Sequence, residues 1–189
     1  MAQPPLVPYL FQTFFVSREK SGSPQIEDMI TCGKILQKNV FFKNNQSSLA
    51  SAHGNRVLLT GEDAVLQRLV PEDIVEIVDY DPIKNVVVAS GKTNPCMETP
   101  VHWMIQKARH DVHATVFIHT KEMPPQLVTL LPCTLKVYPM GTIESIKEIL
   151  KTLRDGKTII VKEKGILFVG VTLQEIQTTA TQLAASMTP

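Results

Sequence analysis

The stretch from Pro95 to Lys121 gathers a carboxylate, an imidazole and an ammonium around one expected helix and one expected strand. Glu98 stands just before Thr99 and Pro100, a capping residue followed by a proline where the missing N–H costs nothing. Val101, Met104, Ile105 and Ala108 then recur at helical spacing, and Arg109, His110 and Asp111 close the helix. Ala114 to Ile118 is a short apolar, β-branched run that suits a buried strand. His119 and Lys121 follow at its end, and a period of two puts them on one face. An acid at a helix start is favoured by the helix dipole. An acid, a histidine and a cation at such a junction form an acid–base or anion-binding set, placed where pockets form in mixed α/β folds. Each residue also has a plain reading: a helix-start carboxylate, a satisfied strand-end histidine, a solvated lysine. Glu163-Lys164-Gly165 adds a second acid and cation at another strand start.

The elements that must position these groups are legible in order. Ser23-Pro24 starts a helix whose apolar stripe runs through Ile26, Met29, Ile30, Gly33, Ile35 and Leu36 to about Lys38. Ser48–Ser51 and Arg56–Leu59 read as a hairpin turning at His53-Gly54-Asn55. Ile74–Val78 and Val86–Ala89 flank the turn Tyr80-Asp81-Pro82. A short helix is expected over Leu127–Leu131 and a strand over Leu135–Tyr138. Gly141-Thr142-Ile143-Glu144 opens a helix lined by Ile146, Ile149, Leu150 and Leu153. The strands Ile159–Val161 and Ile166–Val169 follow. Thr172 caps a last helix to about Ser186.

Composition excludes several classes. The chain has 189 residues, enough for one domain with a full core. A formal charge of +1 gives no push toward nucleic acid. No apolar run reaches the ~18 residues of a membrane span. The apolar segment from Leu6 to Val16 lacks the flanks of a signal peptide. Cys32, Cys96 and Cys133 are widely separated, with no Cys-x-x-Cys pair. They are expected to be reduced thiols in a cytoplasmic setting, or simply small buried residues.

Several of these motifs resemble the class II aldolase/adducin family, typified by the sugar-phosphate aldolases. That family has Pro-Ser-Ser-Glu, a helix carrying a histidine, and an apolar strand ending His-x-His. This chain has Pro95-Cys96-Met97-Glu98, His102 and His119-Thr120-Lys121. The family then has a strand ending Asn-His-Gly, an apolar run and Gly-x-Thr-x-x-Glu; here stand Glu163-Lys164-Gly165, Ile166–Gly170, Thr172 and Glu175. Order and spacing agree from about Ile26 to Leu183.

The resemblance implies a class II aldolase-like three-layer α/β fold over residues 23–189, its central, mainly antiparallel sheet flanked by helices. Residues 1–22 are then an N-terminal extension. It also implies a phosphate loop that opens the first hairpin. Gly54-Asn55 is one match to it. Counting back from Leu69–Asp73 favours the stretch around Gln46, Ser47 and Ser48, which leaves Gly54-Asn55 as a turn. Cys96 and Met97 hold the places of the family's two phosphate-binding serines. Glu98 holds that of its acid/base carboxylate. The zinc ligands would be His119 and the residues at positions 121 and 164, where this chain has lysines. A lysine ammonium is a poor ligand and repels a dication. No cofactor is therefore expected, with zinc as the alternative.

Two lysines in place of a dication leave three readings. Both point to solvent. Or they pair with Glu98 and Glu163 and bind a small anion. Or one is desolvated beside the other and attacks carbonyls. Two function classes follow. One is a binding or assembly module without zinc aldolase activity, forming a homo-oligomer, a tetramer by the resemblance. The other is a carbon–carbon lyase acting on a small sugar-phosphate-like or carbonyl substrate, metal-dependent or using Lys121 and Lys164.

Overall fold

In the computed structural model the described residues are 11–39, 41–43, 45–120 and 123–186. Eight strands form one sheet: β1 (Gln12–Ser17), β2 (Ser47–His53), β3 (Arg56–Thr60), β4 (Ile74–Asp81), β5 (Val86–Ser90), β6 (Ala114–His119), β7 (Thr158–Val161) and β8 (Gly165–Gly170). Their order is β1-β5-β4-β3-β2-β6-β8-β7. Only the pairing of β1 with β5 is parallel among the described strands. The helices are α1 (Gln25–Leu36), α2 (Thr99–Ala108), α3 (Pro125–Leu130), α4 (Ile143–Leu153) and α5 (Leu173–Ala185). None is long and apolar enough to cross a membrane.

Alternation along the strands builds two apolar faces, and each is covered by helices. Val116, Ile118, Ile166 and Phe168 pack with Met29, Ile30 and Leu36 of α1 and Ile176 and Ala180 of α5. Their neighbours Phe117, Leu167 and Val169 face the other way, against Val101 and Ile105 of α2 and Ile146, Ile149 and Leu153 of α4. A third cluster joins Trp103 and Cys96 to Ala50, Leu59, Val75, Ile77 and Ala89. The result is the expected three-layer, mainly antiparallel architecture.

Local chemistry sets the element ends. Thr142 Oγ1 accepts the Ser145 N–H at 3.2 Å and Thr172 Oγ1 accepts that of Glu175 at 3.1 Å, capping α4 and α5. Asp81 Oδ1 takes the N–H groups of Ile83 and Lys84, which tightens the turn between β4 and β5. Gly54, at φ +59°, turns the β2–β3 hairpin. Two expectations need correcting. Within the expected N-terminal extension, Gln12–Ser17 is β1, an edge strand of the main sheet. Leu135–Tyr138 forms no strand, because no neighbour takes its backbone. Instead the Glu148 carboxylate binds the N–H of Leu135 at 2.9 Å.

Among the described glycines, Gly165 has the least room for a side chain, where β8 lies against β6. Gly165 pairs with His119 at φ +152°, and any Cβ there would drive into the carbonyl of Ile118. Both the dihedral and the space exclude a side chain. Gly165→Ala is therefore expected to lower stability by about 3 kcal/mol or more. Gly22→Ala, with open space around it, should be nearly silent. Urea unfolding of the two variants checks this.

Candidate functional site

Glu98 lies at the start of α2 but does not cap it; its side chain makes no hydrogen bond to the helix N-terminus. The local turn is held instead by Thr99 Oγ1, which donates to the Cys96 carbonyl at 2.6 Å. This frees the carboxylate to turn inward, where only 3% of Glu98 remains exposed. There His119 Nε2 lies 2.7 Å from Glu98 Oε1. The contact is close, but the ring N–H is not aligned with that oxygen, which has no aligned donor. Burial pushes the Glu98 pKa up, but contact with His119 and with the Cys96 thiol outweighs it. The net direction is down, and the buried carboxylate is ionised near neutrality.

A chain of polar side chains runs beneath this pair. His102 is fully buried, with Nε2 2.8 Å from Ser48 Oγ and Nδ1 2.6 Å from Thr115 Oγ1. Gln106 Nε2 donates to the same Thr115 oxygen at 3.3 Å. The side chains of Ser48 and Glu98 both stand beside the Cys96 thiol. One assignment runs all the donors in a single direction, leaving Gln106 Oε1 and Glu98 Oε1 without an aligned donor. Gln106 donates to Thr115, Thr115 to His102 Nδ1, His102 Nε2–H to Ser48, Ser48 to Cys96, and the Cys96 thiol to Glu98. Each donor points along the chain toward the carboxylate. Burial raises the Cys96 pKa well above the ordinary thiol range, and the neighbouring Glu98 charge adds to it, so the thiol keeps its proton. His102 is held to about 4, first by burial, against the pull of the Glu98 charge.

The remaining site residues separate. Gln46 and Ser47 line a cleft of about 430 Å³ together with Glu62 and Asp63. Asn94 Nδ2 donates to Glu62 Oε1 at 3.0 Å, fixing one acid at its wall. Ser48, one residue on, faces inward to His102. Met97 is half-buried against the α2–α4 core. Lys164 is half-buried in a narrow recess with Lys136, Lys162, Tyr138 and Glu148, and it makes no ion pair among the described residues. Lys121 lies outside the described residues. So the carboxylate of Glu98 meets His119, and the contact with Lys164 expected of a balanced pocket does not form. The His102–Ser48–Thr115 network was missed in the sequence. Its signals were a histidine one helical turn after Glu98 and a lone hydroxyl inside the apolar run of β6.

The donor set does not fit a family-type zinc ion. Catalytic zinc takes three protein ligands. Glu98 and His119 supply two donors. His102 has both nitrogens engaged, and the Cys96 thiol is protonated. Lys164 offers an ammonium. Among the described residues no group of three or more His, Cys, Asp or Glu is arranged to hold a metal ion.

Comparison with known proteins agrees with this frame. The profile of the Class II Aldolase and Adducin N-terminal domain family matches residues 27–125. No curated protein sequence matches the chain significantly. Among solved structures, an L-fuculose 1-phosphate aldolase is similar at 19% identity and TM-score 0.69, over 89% of this chain and 86% of that one. The L-fuculose-1-phosphate aldolase from Thermus thermophilus is similar at 16% identity and TM-score 0.59, over 86% of this chain and 91% of that one. The N-terminal class II aldolase domain of a conserved protein from Thermoplasma acidophilum gives 12% identity and TM-score 0.63, over 89% of this chain and 94% of that one. At these identities the likeness is one of fold.

The buried imidazole makes stability pH-dependent. An unfolded histidine titrates near 6.5, whereas His102 in the fold titrates at about 4. Between these values the unfolded chain binds the proton first. Stability from this group is thus full above pH 6.5 and falls as pH drops toward 4, by ~3 kcal/mol in all. Urea unfolding from pH 7.5 to 4.5 should show the fall, and the His102 ring signals in NMR should stay those of a neutral imidazole at pH 5.5.

Proposed function

The chain belongs to the class II aldolase and adducin N-terminal domain family, and from that premise we propose that it is a binding or assembly domain without zinc-dependent aldol chemistry. One observation carries the reading. At the three positions where the family pattern puts imidazoles, this chain has His119, Lys121 and Lys164, and His119 is engaged by the buried Glu98. Two protein donors at Glu98 and His119 fall short of the three that hold a catalytic zinc ion. The cleft beside Gln46 and Ser47 supports the same reading. Glu62 and Asp63 stand on its wall, and like charge opposes a phosphate there.

Assembly is the favoured use of such a domain. Phe14 and Val16 project from the edge strand β1 at 62% and 56% exposure. Leu135, Val128 and Leu130 are exposed in and after α3. Apolar side chains grouped on a sheet edge and on one connecting segment suit contacts between copies of the chain. The reading is thus a homo-oligomeric domain whose Glu98–His119 pair is structural.

Metal analysis of the purified protein is expected to find far less than one zinc per chain. Assays of aldol cleavage of L-fuculose 1-phosphate should stay at background with zinc added. Stoichiometric zinc that His119→Ala removes would overturn the reading. Sedimentation should give a mass above that of one chain, and Phe14→Lys with Val16→Lys should lower it.

A further inference from the structure

At the far end of the sheet from His119 lies a second cleft, of about 510 Å³. Ser47 pairs with Ile118 beside the Glu98–His119 site, whereas Ser51 pairs with Ala114 at the opposite end, and Ser51 and His113 line this cleft. Its walls are α1 and the first turns of α5, with Gln25 and Asp28 on one side and Leu173 and Gln177 on the other. The volume falls in the range of small-molecule sites, roughly 300–1,000 Å³.

We propose that this cleft binds a small organic cation, a primary ammonium or amidinium on a short aliphatic body. The first argument is the Gln25 carboxamide. Its Oε1 is buried and has no hydrogen-bond partner. Gln106 Oε1 is likewise buried without a partner, but Gln106 lines no cleft wide enough for a ligand, whereas Gln25 lines this one. A buried amide oxygen without a donor is costly, and turning it into the cleft breaks no hydrogen bond of that oxygen. The second argument is charge. Asp28, one turn along the same helix, lines the cleft and makes no ion pair among the described residues. No lysine or arginine lines the cleft with it. Its attraction for a cation is therefore not offset by a competing ammonium or guanidinium in the cleft wall. The helix ends do not invite an anion, because Ser23 Oγ takes the Gln25 N–H and Thr172 Oγ1 takes that of Glu175. The third argument is the apolar surface between these groups. Ile35 is 45% exposed here, beside Ala52 and Leu173. It suits a few methylenes and would be poorly used by a fully polar ligand.

The test titrates n-butylammonium, 1-butanol and butyrate into the ¹⁵N-labelled full chain, followed by NMR. Butylammonium is expected to give saturable shifts at the side-chain amides of Gln25 and Gln177 and at the backbone of Thr31 and His113. Butanol and butyrate should bind more weakly. Asp28→Asn, at an exposed position, should weaken butylammonium binding about tenfold, and Gln25→Leu should weaken it too. Equal binding of the three probes would overturn the proposal. So would unchanged affinity in Asp28→Asn, shifts confined to Glu98 and His119, or no saturable shift at all.

Discussion

A buried, ionised carboxylate is the constraint around which one end of this protein is arranged. Glu98 is almost wholly removed from water and yet keeps its charge. That is tolerable only because His119 touches one oxygen and the Cys96 thiol donates to the group. Cys96 is in turn fed by Ser48, and Ser48 by His102. Three elements, β2, α2 and β6, are therefore tied at one point by polar groups that must all be satisfied together. A break in this chain strands a charge in the core and is not confined to the residue changed.

The sheet supplies what that arrangement needs. Glu98 and His102 are one turn apart on α2, and α2 lies flat on the β2–β6 region. Ser48 and Thr115 point at the helix because the pleat alternates. Gly165 lets β8 approach β6 so closely that His119 is fixed opposite it. The same approach puts the turn carrying Lys164 on the other side of the strand end, against Lys136 and Lys162 rather than Glu98.

The two ends of the sheet carry different chemistry. Around Glu98 and His102 the polar groups are buried and linked side chain to side chain. Between α1 and α5 the cleft is lined by amides, hydroxyls and the Asp28 carboxylate, and the Gln25 amide oxygen remains without a partner. The length of strands β2 and β6 separates the two, from Ser47 opposite Ile118 to Ser51 opposite Ala114.

Much of this was written in the sequence. The period of two in Ala114–Ile118, the period near 3.6 in α1, α4 and α5, and the capping residues Thr142 and Thr172 fix those elements by local sterics and hydrogen bonding. The succession of Glu98, His102, His119 and Gly165 was enough to bring out the family pattern, and the loss of imidazoles at positions 121 and 164 was visible as residue type alone. What the sequence could not say is which partner each charged group takes. Glu98 read as a helix-start carboxylate facing lysines, because sequence spacing reports which face a residue occupies and not what stands across from it. The Ser48–His102–Thr115 chain joins residues far apart in sequence, and only the antiparallel register of β2 with β6 sets them side by side. Residues 135–138 have the alternation of a strand but meet no strand edge, and Gln12–Ser17 has one waiting at β5. Pairing is a property of the neighbour as much as of the segment, and the neighbour exists only in the folded chain.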